Sequence, residues 1–144
     1  MTGDPAAPRG DGRPQATITR RVDWIDTDAS GHWHNATILR FLEAAEDALH
    51  EELGMPELFG HVPRVQLHID FVSRLWFRDE PTTRIWVDSV GTSSMTYGFE
   101  VALDDRIVAS GTSVVVQADP HGEGAKPWTD EQRARLTGTP LTGA

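Results

Sequence analysis

Residues 35–56, Asn35-Ala-Thr-Ile-Leu-Arg-Phe-Leu-Glu-Ala-Ala-Glu-Asp-Ala-Leu-His-Glu-Glu-Leu-Gly-Met-Pro56, decide how the rest of the chain is read. Ile38, Leu42, Ala45, Leu49 and Leu53 recur every three or four positions, so a helix would carry them on one stripe. Arg40, Glu43, Asp47 and Glu51 fall away from that stripe. Asn35 is a good N-cap residue, and Gly54 followed by Pro56 is a strong stop. The pattern predicts an amphipathic helix over 35–53, about 28 Å long at roughly 1.5 Å per residue. In a chain of 144 residues an element of that length is central to the fold.

Around the helix the periodicity changes to that of strands. Upstream, Ile18, Val22 and Trp24 alternate with Thr17, Thr19, Arg21 and Asp23, which predicts a half-buried strand ending near Trp24. Asp26-Thr-Asp-Ala-Ser-Gly31 is a cluster of turn formers between that strand and the helix. Downstream, Val65, Leu67, Ile69 and Phe71 alternate with Gln66, His68 and Asp70, and three further β-rich runs cover 83–90, 95–101 and 107–117. Asp104-Asp105 makes a tight hairpin, Gly111 suggests a bulge or bend, and Thr129 with Gln132 forms a capping box for a short helix over 129–136. One strand, a long helix and four strands joined largely as a meander predict an α+β domain with one antiparallel sheet on one helix. Residues 1–15 and 137–144, rich in Gly, Pro and Thr, read as a disordered leader and a flexible tail around a domain at 16–136.

Composition narrows the function. A net charge of −9 works against general affinity for nucleic acid, which rests on Lys and Arg neutralising phosphates. There is no cysteine, so disulfides, thiolate metal sites and a cysteine nucleophile are excluded. No run approaches the roughly 18 apolar residues of a membrane span, and the first residues lack the apolar stretch of a secretory signal. These readings lead to the expectation of a cytoplasmic protein.

The segment Trp24-Ile-Asp-Thr-Asp-Ala-Ser-Gly-His-Trp-His-Asn35, continued by Ile38-Leu-Arg-Phe-Leu-Glu-Ala-Ala-Glu46, resembles the opening motif and helix of the 4-hydroxybenzoyl-CoA thioesterase family. The resemblance extends more weakly to Ala118. It implies a hotdog fold, with the sheet wrapped around the helix, and a homodimer or homotetramer with its active site between subunits. It further implies hydrolysis of an acyl-CoA or acyl-carrier-protein thioester without a metal or other cofactor. By position in the motif, the catalytic carboxylate corresponds to Asp28 and the carbonyl-polarising amide to Asn35. His32 is a common motif residue there, Trp33 and His34 would shape the acyl entrance, and Glu43 would lie on the helix beside the site. Where relatives carry a basic residue before a serine, this chain has Gly91-Thr-Ser-Ser94, which leaves Arg64, Arg74 and Arg78 as candidates for contacts with coenzyme A or a carrier protein.

The chemistry is sound apart from the resemblance. A thioester carbonyl under attack becomes an oxyanion, and free N–H groups at a helix N-terminus are oriented to receive one. A nearby carboxylate can attack the carbonyl or take a proton from water. Each residue also has a plainer reading. Asp28 opens Asp-Ala-Ser-Gly, which suits a type I turn; Asp26 reads as structural; Glu43 reads equally as an exposed charge, and each arginine first of all as a surface arginine. His32 and His34 with the aspartates match no recognised metal-ligand spacing. Two rival functions stand beside the thioesterase: a non-catalytic acyl-binding module, and a hydratase or dehydratase of the same fold, for which no His-Phe-Pro-Gly-like segment is present.

Overall fold

Five strands hydrogen-bond into one antiparallel sheet, β1 (Gln15–Thr19), β2 (Arg64–Phe71), β3 (Thr82–Val90), β4 (Ser94–Leu103) and β5 (Arg106–Val116). The computed structural model describes residues 12–122 and 124–138. Helix α1 (Thr37–Leu53) contacts β1 and β3, and a second helix, α2 (Asp130–Thr137), packs by β3. The long helix and the single sheet are those the apolar periodicity predicts.

The strand order is β1-β3-β4-β5-β2. Strands β3, β4 and β5 form the expected meander, but β2 pairs with β5 rather than with its sequence neighbour β3. The reason is that β1 already occupies the other side of β3, from Gln15↔Trp86 to Thr19↔Thr82. That ladder ends sooner than the alternation suggests. Arg20 N–H still donates to Pro81 O, but Pro81 has no N–H to return, so the regular ladder stops there and only Val22 N–H to Asp79 O and Arg78 N–H to Val22 O continue the pairing. Of the later alternating positions only Val22 is buried; Trp24–Asp26 form a 3₁₀ turn that leaves Trp24 and Ile25 81% and 77% exposed.

At the N-terminal end, Gln15 is already the first residue of β1, and Pro14 O accepts from Val87 N–H. Residues 1–11 and 139–144, the bulk of the expected leader and tail, lie outside the described residues. The capping box at Thr129 and Gln132 is present, with Gln132 N–H donating to the Thr129 hydroxyl at 3.1 Å. Gly111 marks no bulge: the register runs unbroken through Ile69↔Gly111 and Phe99↔Gly111. It is glycine because β2 lies so close that an added Cβ would stand 1.9 Å from His68 O.

All five stripe residues of α1 are buried, together with Phe41, against Ile85, Tyr97, Phe99, Val108 and Val115. Each such Leu, Ile or Phe contributes about 1.5–3 kcal/mol on burial. Gly54 ends the helix in the left-handed conformation, φ 66°, as its place before Pro56 predicts. Two polar pairs cross this core. Glu46 lies 2.8 Å from Arg64, which also donates to Ser113 Oγ, and His50 Nε2 shares a 2.7 Å hydrogen bond with the Tyr97 hydroxyl. Burial pushes the Tyr97 hydroxyl well above its usual range and holds His50 below its own, so both are neutral near pH 7.

Candidate active site

The turn formers at 26–31 build a small hairpin that hands the chain to α1. Thr27 and Trp33 form an antiparallel bridge. Asp28 N–H donates to His32 O, and Gly31 N–H closes the turn on Asp28 O, both at 3.0 Å. Asp28 Oδ1 accepts from Ser30 N–H at 2.8 Å and from the Ser30 hydroxyl, which makes an Asx turn. The plainer reading of Asp28 therefore holds for one of its oxygens. Oδ2 has no hydrogen-bond or ion-pair partner among the described residues. The Ser30 hydroxyl above all, then the Ser30 amide, with His32 and His34 nearby, holds this exposed carboxyl below its usual range. It is ionised at neutral pH.

Asp26 joins hairpin to helix. Its side chain is fully buried; Oδ2 accepts from Asp23 N–H at 2.9 Å and Oδ1 lies 3.1 Å from the Arg40 guanidinium. Its carbonyl accepts from His34 N–H at 2.7 Å and from the Thr37 hydroxyl at 2.8 Å. The structural role read for Asp26 is thus an anchor between the two pieces that carry Asp28 and Asn35.

The helix begins two residues later than the sequence suggests, with Ala36 rather than Asn35 in the N-cap position. The His34 ring does the capping instead, its Nδ1 accepting from Ala36 N–H at 3.0 Å. Thr37, Ile38 and Leu39 donate to the carbonyls of His34, Asn35 and Ala36. With His34 N–H on Asp26, every amide from 34 to 39 is engaged except that of Asn35, which has no acceptor among the described residues.

Asn35 lines a cavity of about 250 Å³ with His32, Trp33, Phe71, Val72, Ser73 and Arg74. Trp33 is 2% exposed and packs edge-on to Phe41 and Phe71, so it forms the wall rather than the entrance. His32 meets Trp76 edge-on, and its Nδ1 lies 3.2 Å from Trp33 O, so the two histidine rings are turned to separate partners. Glu43 is not beside Asn35. It lines a second cavity of about 310 Å³ with Glu46, Asp47, His50, Phe59 and Arg64, because eight residues of helix, roughly 12 Å, separate the two. Arg64 is drawn into that cavity by Glu46. Arg74 stays at the Asn35 cavity, and Arg78 lies over the Phe77 ring. Ser30 and Glu46 are the contributors that sequence reading missed.

One antiparallel sheet carried on a single long helix, with a turn-borne carboxylate where that helix begins, defines an α+β protein of the hotdog class. The chain belongs to the thioesterase-like superfamily, whose family profile matches residues 22–136. It is similar in structure to a predicted thioesterase from Bacillus stearothermophilus, with 23% identity over 85% of this chain and 93% of that one and a TM-score of 0.78. A thioesterase from Thermus thermophilus, complexed with coenzyme A and zinc, matches at 26% identity over 91% and 99%, with a TM-score of 0.75. A 1,4-dihydroxy-2-naphthoyl-CoA thioesterase from Synechocystis matches at 15% identity over 85% and 95%, with a TM-score of 0.76. No curated protein sequence matches at a significant level.

Proposed function

We propose that the chain hydrolyses an acyl thioester to a free acid and a thiol, with Asp28 as nucleophile or general base and Asn35 N–H as oxyanion donor. The carrying observation is the unengaged Asn35 amide, alone among 34–39, at the helix end where partial positive charge gathers. In the general-base route Asp28 Oδ2 takes a proton from water, the hydroxide oxygen bonds to the carbonyl carbon, and the thiolate leaves and is protonated. In the nucleophilic route Oδ2 itself displaces the thiolate, and water then cleaves the anhydride. Either route needs an ionised carboxylate, which the contacts from Ser30 supply.

The active unit is a homodimer or a dimer of dimers. Its support is the outer edge of β2, which has β5 on one side only and exposes Val65, Phe71 and Val72 beside it. Antiparallel pairing of two such edges would bring the Glu43–Arg64 cavity of one subunit to the Asn35 cavity of the other. Coenzyme A is preferred as the thiol carrier over an acidic carrier protein, because in a chain of net charge −9 a small anion needs only a local basic patch whereas a protein must cover a broad acidic surface.

The Asx turn favours one second reading, an acyl-binding module in which Asp28 only shapes the hairpin. Thiol release by Asp28→Asn and Asp28→Ala over a panel of acyl-CoA thioesters decides between them. The expected loss in kcat is about 10²–10⁴-fold. An unchanged rate removes Asp28 from catalysis, and an inactive wild type over the whole panel favours the binding module.

A further inference from the structure

In a chain with nine more acidic than basic side chains, an arginine that finds no carboxylate is informative. Among the described residues Arg13, Arg40, Arg64, Arg84 and Arg135 each lie 2.8–3.1 Å from a carboxylate oxygen. Arg106 and Arg133 donate to hydroxyl or carbonyl oxygens. Arg20, Arg21, Arg74 and Arg78 have no side-chain hydrogen bond or ion pair among the described residues.

Arg20, Arg21 and Arg78 share one flank, while Arg74 lines the Asn35 cavity. The two segments of that flank are joined by Arg20 N–H to Pro81 O, Val22 N–H to Asp79 O and Arg78 N–H to Val22 O. The acids of the same segments, Asp23, Asp79 and Glu80, form no ion pair with them, and Asp79 instead accepts from Trp76 N–H at 2.7 Å. Arg21 and Arg78 converge on a single ring, with Cζ atoms 5.7 Å and 4.9 Å from the centroid of Phe77. Arg78 does so with φ 77°, a left-handed conformation that residues with side chains rarely take and that tends to persist where it serves a function. Trp76, half exposed, ties this patch to the site hairpin through its bridge to His32.

We propose that Arg21, Phe77 and Arg78, with Trp76 beside them, bind the phosphorylated nucleotide end of coenzyme A; the proposal rests on the thioesterase reading. Guanidinium forks match phosphate oxygens, Phe77 holds the two forks together, and the half-exposed Trp76 ring offers an apolar face to a purine base. A small polyanion needs only these few groups. A carrier protein would have to cover roughly 800 Å² of an acidic surface, so the patch fits the small ligand better. Its place next to the hairpin leaves the thioester end free to reach Asp28 and Asn35.

The test compares one acyl group carried on coenzyme A and on pantetheine, which lacks the nucleotide, in the wild type and in Arg21→Gln, Arg78→Gln and Phe77→Ala. Each arginine variant is expected to lose about tenfold or more in kcat/KM on acyl-CoA, through KM, relative to its change on acyl-pantetheine. The gap should narrow as salt is raised. Equal changes on the two thioesters, or none on acyl-CoA, overturn the proposal even if hydrolysis is confirmed. Equilibrium binding of free coenzyme A separates the two failures. Binding that weakens in the arginine variants, in a wild type that releases no thiol, keeps this site and rejects the hydrolase.

Discussion

Helix α1 carries a carboxylate–arginine pair at each of two levels, and the pairs are built in opposite ways. At the start, Asp26 is wholly buried while the side chain of its partner Arg40 is 45% exposed. Nine residues into the helix, Glu46 and Arg64 are both mostly enclosed, with side-chain exposures of 11% and 23%. A charge that loses its partner in water is rehydrated, whereas one that loses it in the interior is stranded. The first pair therefore acts chiefly through the shape it gives the hairpin, and the second through the cost of breaking it.

The largest effect should follow Glu46→Ala, which leaves the Arg64 guanidinium enclosed and unpaired. A loss of about 3–5 kcal/mol in urea unfolding is expected. Asp26→Asn should cost less, about 1.5–3 kcal/mol, because Arg40 can turn to solvent and the Asp26 carbonyl keeps its bonds to His34 and Thr37. If the two variants lose equal stability, the contrast between the pairs is wrong. The smallest effect is a shift in pH. Asp28 is held below the ordinary aspartate range, so it stays ionised as pH falls through that range and loses its charge only below it. The acidic limb of kcat/KM should accordingly lie below the usual aspartate value. Ser30→Ala, which removes the main cause, should move that limb upward; an unmoved limb means that another group sets it.

The contrast also shows where the sequence could be read. The five-residue stripe, the Gly54 stop, the hairpin at Asp104-Asp105 and the capping box at Thr129 are local patterns, and each is found where its residues predict it. The end of β1 is not readable in this way, because it depends on a missing N–H at Pro81, far along the chain. Nor is the partner of β2, since any open edge satisfies its alternation. In the site, the hairpin is legible from its turn formers, and the helix from its stripe to within two residues of its start. The cap is misassigned from sequence because a histidine ring, which is no usual cap, displaces a residue that is. Glu46 gives no signal at all, for the guanidinium it meets, that of Arg64, arrives from β2. Glu43, three residues earlier, lines the cavity that Glu46 and Arg64 enclose, apart from the Asn35 cavity of its own subunit.

The turn at Asp28 sets a limit on what this position can accept. The side chain is just long enough for one oxygen to close a ring onto the amide two residues ahead while the other points away. Glutamate would bring the same charge on a stem one methylene longer, and the ring would no longer close at that size. Direction comes here from a backbone loop and charge chiefly from the Ser30 hydroxyl on the same oxygen, so a single residue two positions ahead serves both.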